Sequence, residues 1–159
     1  MFLKIFEKLV ISSLLCFLVV TQAKSEDLIV KPYDYERACI NAKNDVTKAL
    51  KQQGLVIVMS EYNIENYNDI PENREKGVNY LLTPKTKGVS IEPFMKNQAL
   101  HKKITTILTR ECGNISKVDF SVAQTDWILS YGLINGLVDQ FTCKGQPYDE
   151  TIVWGESCL

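Results

Sequence analysis

The chain has 159 residues and a formal net charge of −1 at pH 7, and 45% of its residues are hydrophobic. This length is ordinary for one domain with a substantial core. Near-neutral charge excludes a global electrostatic attraction to nucleic acid or to an anionic membrane.

The first residues predict a secretory signal peptide. Two lysines precede a short apolar run, residues 9–20, and small residues follow it. The run is shorter than the ~20 residues that cross a bilayer, which disfavours the alternative of an uncleaved anchor. We therefore expect cleavage of residues 1–23, with cleavage after Ser25 as an alternative. Residues 24–159 should form a single exported domain, secreted or periplasmic, without a membrane span.

Four cysteines remain after the predicted cleavage: Cys39, Cys112, Cys143 and Cys158. An even number of cysteines in an exported chain predicts two disulfides, because that compartment is oxidising. A zinc site is disfavoured, since there is no Cys-x-x-Cys pair and the gaps are long. We expect Cys39–Cys112 and Cys143–Cys158, and two other connectivities stay open.

Residues 32–54 predict the first amphipathic helix, and Gly54 is a natural helix stop. Its apolar residues recur at spacings of three and four. These residues are Cys39, Ala42, Val46, Ala49 and Leu50. The next run, residues 55–59, is short, continuous and rich in β-branched residues. It predicts a central strand with both faces covered.

Residues 60–77 predict a long surface loop with a concentration of acidic residues. These are Glu61, Glu65, Asp69, Glu72 and Glu75. Two of them can act as the acid and base of a hydrolase if burial raises one pKa. Together with neighbouring asparagines they can also hold calcium, although the Asp-x-Asn-x-Asp-Gly loop pattern is missing. A solvated acidic loop is the simpler interpretation.

Residues 78–82 predict a strand, and residues 89–92 predict a weaker one after a turn. Residues 97–111 predict the second amphipathic helix, with Asn97 as its N-cap. His101, the one histidine of the chain, is predicted to lie exposed on this helix. Without a second histidine or a nucleophile motif beside it, acid–base catalysis at neutral pH has little basis.

A basic cluster spans the turn and the second helix, but it lacks the interleaved aromatic residues of single-strand binders. Its members are Lys85, Lys87, Lys96, Lys102 and Lys103. We expect solvated side chains here and no nucleic-acid partner.

The end of the chain predicts a β-meander. Residues 118–123 alternate apolar and polar side chains, which predicts a half-buried strand. Asn135-Gly136 lies between the apolar runs 127–134 and 137–143, and such a two-residue turn predicts a hairpin in which Ile134 pairs with Leu137. Residues 151–154 supply one further strand.

The predicted fold class is α+β: two amphipathic helices packed on one face of a mostly antiparallel sheet, with a C-terminal β-meander and stabilising disulfides. Both faces of the predicted hairpin are largely apolar. One of them is the candidate interaction face, because tyrosine and tryptophan are common anchors in protein interfaces. It consists of Trp127, Leu129, Tyr131 and Leu133.

The sequence contains no phosphate-binding glycine loop, zinc-binding helix motif or dinucleotide fingerprint. We therefore assign no catalytic residue, no metal and no cofactor. The expected function is a small exported, disulfide-stabilised binding, inhibitory or envelope-associated module without catalytic activity. Its partner is expected to be another protein or an envelope component. The alternative is a small secreted hydrolase that uses the carboxylates of residues 60–77.

Overall fold

The computed structural model describes residues 34–65, 67–143 and 152–156. The helices are α1 (Tyr35–Gln52), α2 (Glu92–Met95) and α3 (Gln98–Glu111). The strands are β1 (Leu55–Asn63), β2 (Tyr67–Asn68), β3 (Lys76–Pro84), β4 (Ile115–Val122), β5 (Ile128–Ile134), β6 (Leu137–Gln140) and β7 (Ile152–Val153). No helix in the described part of the chain is long and apolar enough to span a membrane.

Five strands form one mixed sheet in the order β1-β3-β4-β5-β6. β3 and β4 are parallel, and the other neighbours are antiparallel. The chain between β3 and β4 contains α2 and α3, as expected because parallel strands need a long crossover connection. Helices packed with a mostly antiparallel sheet confirm the predicted α+β class.

Local signals place the helices and the hairpin where the sequence predicts them. Asn97 caps α3, and its side chain accepts a hydrogen bond from the amide of Leu100 at 3.1 Å. Asp34 caps α1 in the same way through the amide of Arg37. The β5–β6 hairpin turns at Asn135-Gly136, and Ile134 pairs with Leu137 as predicted.

The main core lies between the helices and the sheet. It includes Val46 and Leu50 of α1 and Leu108 of α3. We call the side of the sheet that carries Tyr80, Phe120 and Tyr131 the core face. Because strand side chains alternate, the register places Asn79, Asp119 and Ser130 together on the other side, the open face.

The predicted Cys39–Cys112 disulfide is confirmed and joins α1 to the residue that caps the end of α3. Cys143 is also disulfide-bonded. Cys158 lies outside the described residues, so the predicted Cys143–Cys158 pairing stays a prediction.

The prediction of a central strand for residues 55–59 is wrong. β1 is the terminal strand of the sheet, and β3 is its one partner among the described strands. Val56 and Val58 are 48% and 59% exposed. A continuous apolar run indicates that both faces can be buried, but it carries no information about the order of the strands.

β4 is more buried than the sequence predicts, the reverse of β1. The alternation in residues 118–123 predicts a half-buried strand, yet every residue of β4 except Asp119 is buried. β4 lies between β3 and β5, so its backbone is enclosed on both edges. Its polar side chains are buried because other segments cover that part of the open face.

The connections also differ from the predictions. The predicted loop at residues 60–77 is shorter, because β1 extends to Asn63 and β3 begins at Lys76. Residues 89–92 form no strand; Glu92 begins α2, whose start contains Pro93, a residue well suited to the first turn of a helix. β7 pairs in parallel with β2 in a separate two-stranded sheet instead of joining the main one.

Candidate binding surface

The candidate interaction face of the sequence lies largely in the core. Tyr131 is 0% exposed, and its ring contacts those of Phe120 and His101. Trp127 and Leu129 pack against the same core, and Leu133 is half-buried. A side chain without accessible surface cannot contact a partner. Tyr131 is therefore unavailable to a partner, whereas Trp127, Leu129 and Leu133 keep part of their surface, and the interaction face stays a prediction.

The five acidic residues of the predicted loop are exposed and dispersed. Glu61 pairs with Lys43 of α1 at 2.7 Å. Glu72 and Glu75 line a shallow concavity of about 620 Å³, and both side chains are exposed. No group of three histidine, cysteine or acidic residues in the described ranges is arranged to hold a metal ion. This arrangement offers no buried acid for general acid catalysis.

An apolar strip runs along β1, and no described strand covers it. Val56 and Val58 project from the open face, and Met59 projects from the core face at the margin of the sheet, where it is 36% exposed. The nine register pairs of β1 with β3 continue without a bulge. β1 contains no proline, bulge or lysine of the kind that protects an edge strand, and its one charged residue, Glu61, is paired with Lys43 of α1. Its outer edge is therefore suited to pairing with another strand.

The two ends of this edge carry opposite charge. At the Leu55 end lie Lys51 and Lys85, and the amide of Lys85 donates to the carbonyl of Gly54 at 2.9 Å. At the other end lie Glu65 and Glu75; the amide of Ile64 donates to the carbonyl of Glu75 at 2.8 Å. All four charged side chains are exposed. Lys76, which pairs with Asn63, is half-buried at the same end. The edge is thus basic at its start and has an acidic excess at its end.

A buried polar network occupies the middle of the open face. The Asp119 carboxylate accepts hydrogen bonds from the Ser130 hydroxyl at 2.6 Å and from the Tyr62 hydroxyl. Lys117 Nζ lies 3.3 Å from the same carboxylate. Burial, reinforced by the charge of Asp119, raises the pKa of Tyr62. The tyrosine therefore stays protonated and donates, which anchors the end of β1 to the centre of the sheet.

Aromatic rings enclose the lysine of this network. Lys117 is 8% exposed, and its Nζ lies 5.9, 5.4 and 5.6 Å from the ring centroids of Tyr62, Tyr67 and Phe141. Such distances allow cation–π attraction, which strengthens when the cation is desolvated. The network is almost closed to solvent, so we interpret it as a structural support for β1 and the C-terminal segment.

Two glycines make room for these rings. Gly77 and Gly132 pair with Lys117 from either side. A Cβ at Gly77 would overlap the Tyr62 ring, and one at Gly132 would overlap the Phe141 ring and lie 2.8 Å from the Ser116 carbonyl oxygen. The sequence gives no local signal of this arrangement, because the alternating polar residues of β4 suggest a solvated face.

Gly132→Ala should therefore lower the free energy of unfolding by about 2 kcal/mol, the usual range for overpacking. The added methyl group would displace the Phe141 ring from Lys117. Urea unfolding of Gly132→Ala and of Gly113→Ala would test this, since a Cβ at Gly113 meets no atom within 4 Å. Equal stability of the two variants would contradict the packing role of Gly132.

The prediction of an exposed His101 is wrong. The side chain is 0% exposed, and its ring centroid lies 4.8, 4.5 and 5.3 Å from those of Phe94, Phe120 and Tyr131. Neither ring nitrogen has a hydrogen-bond partner among the described residues. Burial lowers the pKa of His101 to about 4, so the imidazole is neutral at pH 7. It is enclosed by rings and has no access to a substrate.

A second concave surface lies between α1 and α3. It has a volume of about 590 Å³ and apolar walls that include Val46, Leu100 and Ile107. Its rim carries both signs of charge, with Asp45 and Lys103 among the residues that line it. The mixed charges around this groove do not indicate whether a ligand would be acidic or basic. At the edge of β1, in contrast, the basic and acidic residues lie at opposite ends.

Comparison with known proteins adds no assignment to this geometry. No protein-family model matches the chain, and searches of curated proteins and of solved structures find no match. The functional conclusion therefore depends on the edge of β1 that no described strand covers.

Proposed function

We propose that the protein is a small exported binding module without catalytic activity, and that it binds an extended segment of a partner protein along the outer edge of β1. One observation carries the proposal. β1 has the composition of a strand that is buried on both faces, yet Val56 and Val58 are exposed at the margin of the sheet. Export is supported by the N-terminal sequence pattern and by the Cys39–Cys112 disulfide.

Addition of a strand would use both the backbone edge of β1 and its exposed apolar side chains. Backbone amides and carbonyls of a free edge supply affinity through main-chain hydrogen bonds, and alternate side chains supply specificity. Here Val56 and Val58, with Leu81 beside them on β3, offer the apolar contacts for the side chains of an added strand. An added strand would also cover the apolar strip that water now contacts, which is favourable in proportion to the buried area.

The rest of the fold acts as the scaffold in this proposal. Two amphipathic helices, a C-terminal β-meander and the disulfide hold the edge in one conformation before a partner arrives. Nine register pairs with β3 and the hydrogen bond of Tyr62 to Asp119 fix β1 itself. Such pre-organisation reduces the ordering cost of binding.

The alternative of a hydrolase has no comparable support. It requires two carboxyl groups that converge, one of them buried with a raised pKa. The five carboxylates of residues 60–77 are exposed, and Glu61 is paired with Lys43.

Val58→Lys should abolish capture of the partner while changing the free energy of unfolding by no more than about 0.5 kcal/mol, because Val58 is already exposed. A lysine at this position places a charge in the apolar strip and protects the edge. The measurement is affinity capture from the native exported fraction, with identification by mass spectrometry. The matched control is Val89→Lys, since Val89 is 50% exposed outside the sheet.

Amide hydrogen exchange of the captured complex supplies a second readout. Exchange should slow across β1 in the wild-type complex, because the amides on its outer edge become hydrogen-bonded. A partner that Val58→Lys still captures, or a complex in which β1 exchange is unchanged, would contradict binding at this edge.

A further inference from the structure

We propose that the extended segment is β1 of a second copy of this chain, so that two protomers join edge to edge in an antiparallel arrangement and form one continuous sheet. This inference rests on the proposed function, because it names the partner of the same edge. Its support is the distribution of charge along β1, together with the residues that self-pairing would bring opposite each other.

Charge favours the antiparallel arrangement. A two-fold axis perpendicular to β1 places the start of one strand beside the end of the other. Lys51 and Lys85 of one protomer then lie near Glu65 and Glu75 of the other, and the symmetry repeats this contact at the opposite end. A parallel arrangement would instead place like charges together at both ends, which is repulsive.

Glu61 does not disturb this pattern. It lies within β1, but its charge is compensated inside the protomer by Lys43 at 2.7 Å. The charged groups that remain are Lys51 and Lys85 at the Leu55 end, and Glu65, Glu75 and the half-buried Lys76 at the Asn63 end, where the acidic residues stay in excess.

The strand sequence is also compatible with self-pairing. If Met59 lies opposite its own copy, all nine residues of β1 overlap. Val56 then faces Tyr62 of the other protomer and Val58 faces Ser60 on the open face. The Tyr62 ring lies over Gly77 and its hydroxyl bonds to Asp119, so the apolar contact of this register is the diagonal one between Val58 and its own copy. No other antiparallel register pairs all nine residues of β1.

Charge reversal tests the arrangement by sedimentation equilibrium of the exported, processed protein at low salt. Lys85→Glu and Glu65→Lys should each weaken dimerisation by about tenfold, because each change creates two like-charge contacts per dimer. An equimolar mixture of the two variants should restore wild-type affinity as a heterodimer, since both contacts are again between opposite charges. The double variant should restore the homodimer.

Two control variants carry the same charge changes away from the edge. Lys103→Glu on α3 and Asp126→Lys in the β4–β5 turn should leave dimerisation unchanged, because both side chains are exposed outside β1 and its ends. Val58→Lys should weaken the dimer by removing the apolar contact.

The outcomes separate this inference from the proposed function. If the wild type stays monomeric, with its edge covered by other residues of the chain or reserved for another protein, the homodimer is excluded. If Val58→Lys nevertheless removes capture of that other protein, the proposed function stands. If dimers form but the mixed variants do not recover affinity, the antiparallel pairing is excluded. If neither dimerisation nor capture responds to Val58→Lys, both proposals fail.

Discussion

Replacing both Cys39 and Cys112 with alanine should lower the free energy of unfolding by about 4 kcal/mol. The two cysteines are 73 residues apart in the sequence, so the crosslink closes a loop that contains β1, β2, β3, α2 and α3. In the chain-entropy model, a crosslink of this length removes about 4 kcal/mol of conformational freedom from the unfolded chain. A loss of this size is a large part of the stability of an ordinary domain.

Urea unfolding under non-oxidising, non-reducing conditions would measure this difference between the wild type and the double variant. Changing both cysteines avoids a free thiol that could exchange with the disulfide of Cys143. In the presence of dithiothreitol the two proteins should unfold at nearly the same urea concentration, because the Cys39–Cys112 disulfide and that of Cys143 are then reduced. A difference below about 1 kcal/mol without reductant would contradict the constraint that we assign to the crosslink.

Features set by neighbouring residues could be predicted from the sequence. The Asn97 cap depends on an amide three residues away, and the hairpin register depends on Asn135 and Gly136. The Cys39–Cys112 pair is not local, but the predicted helices brought their ends together and left few alternatives. These signals sufficed for the α+β class and for most of the elements.

Features that depend on strand order could not be predicted in this way. The position of β1 at the edge follows from the insertion of β3 between β1 and β4. The hydrogen bond between Tyr62 and Asp119 joins residues 57 positions apart. Neither feature produces a hydrophobic periodicity in the sequence. The alternation in β4 therefore predicts exposed polar residues, yet Lys117 is buried, and the apolar run of β1 predicts buried residues, yet Val58 is exposed.

The error on β1 is informative about function. Runs such as residues 55–59 normally have both faces covered, and a long, flat, apolar edge favours association with another strand. The described part of the chain leaves Val56 and Val58 exposed. A pairing partner at this edge would resolve the difference between the composition of β1 and its position.

Lowering the pH from about 7 to about 4 should destabilise the wild type by about 3 kcal/mol through His101. Its pKa is about 4 in the folded protein and 6.5 as the ordinary value. Above pH 6.5 the imidazole is neutral in both states and the full stability is present. Between these values the unfolded chain binds a proton that the folded protein excludes, so stability falls as the pH falls. Below about pH 4 both states are protonated and this loss ends.

His101→Phe should remove this pH dependence, because a phenyl ring among Phe94, Phe120 and Tyr131 does not titrate. Urea unfolding of both proteins across this pH range gives the difference between them, in which the titration of the carboxylates cancels. His101 is the one histidine of the chain, so no other imidazole contributes. Thr105→Val is the control, because Thr105 is equally buried on α3 and cannot titrate. Its stability should follow the wild-type pH dependence. If His101→Phe follows it as well, the imidazole does not titrate as its burial requires.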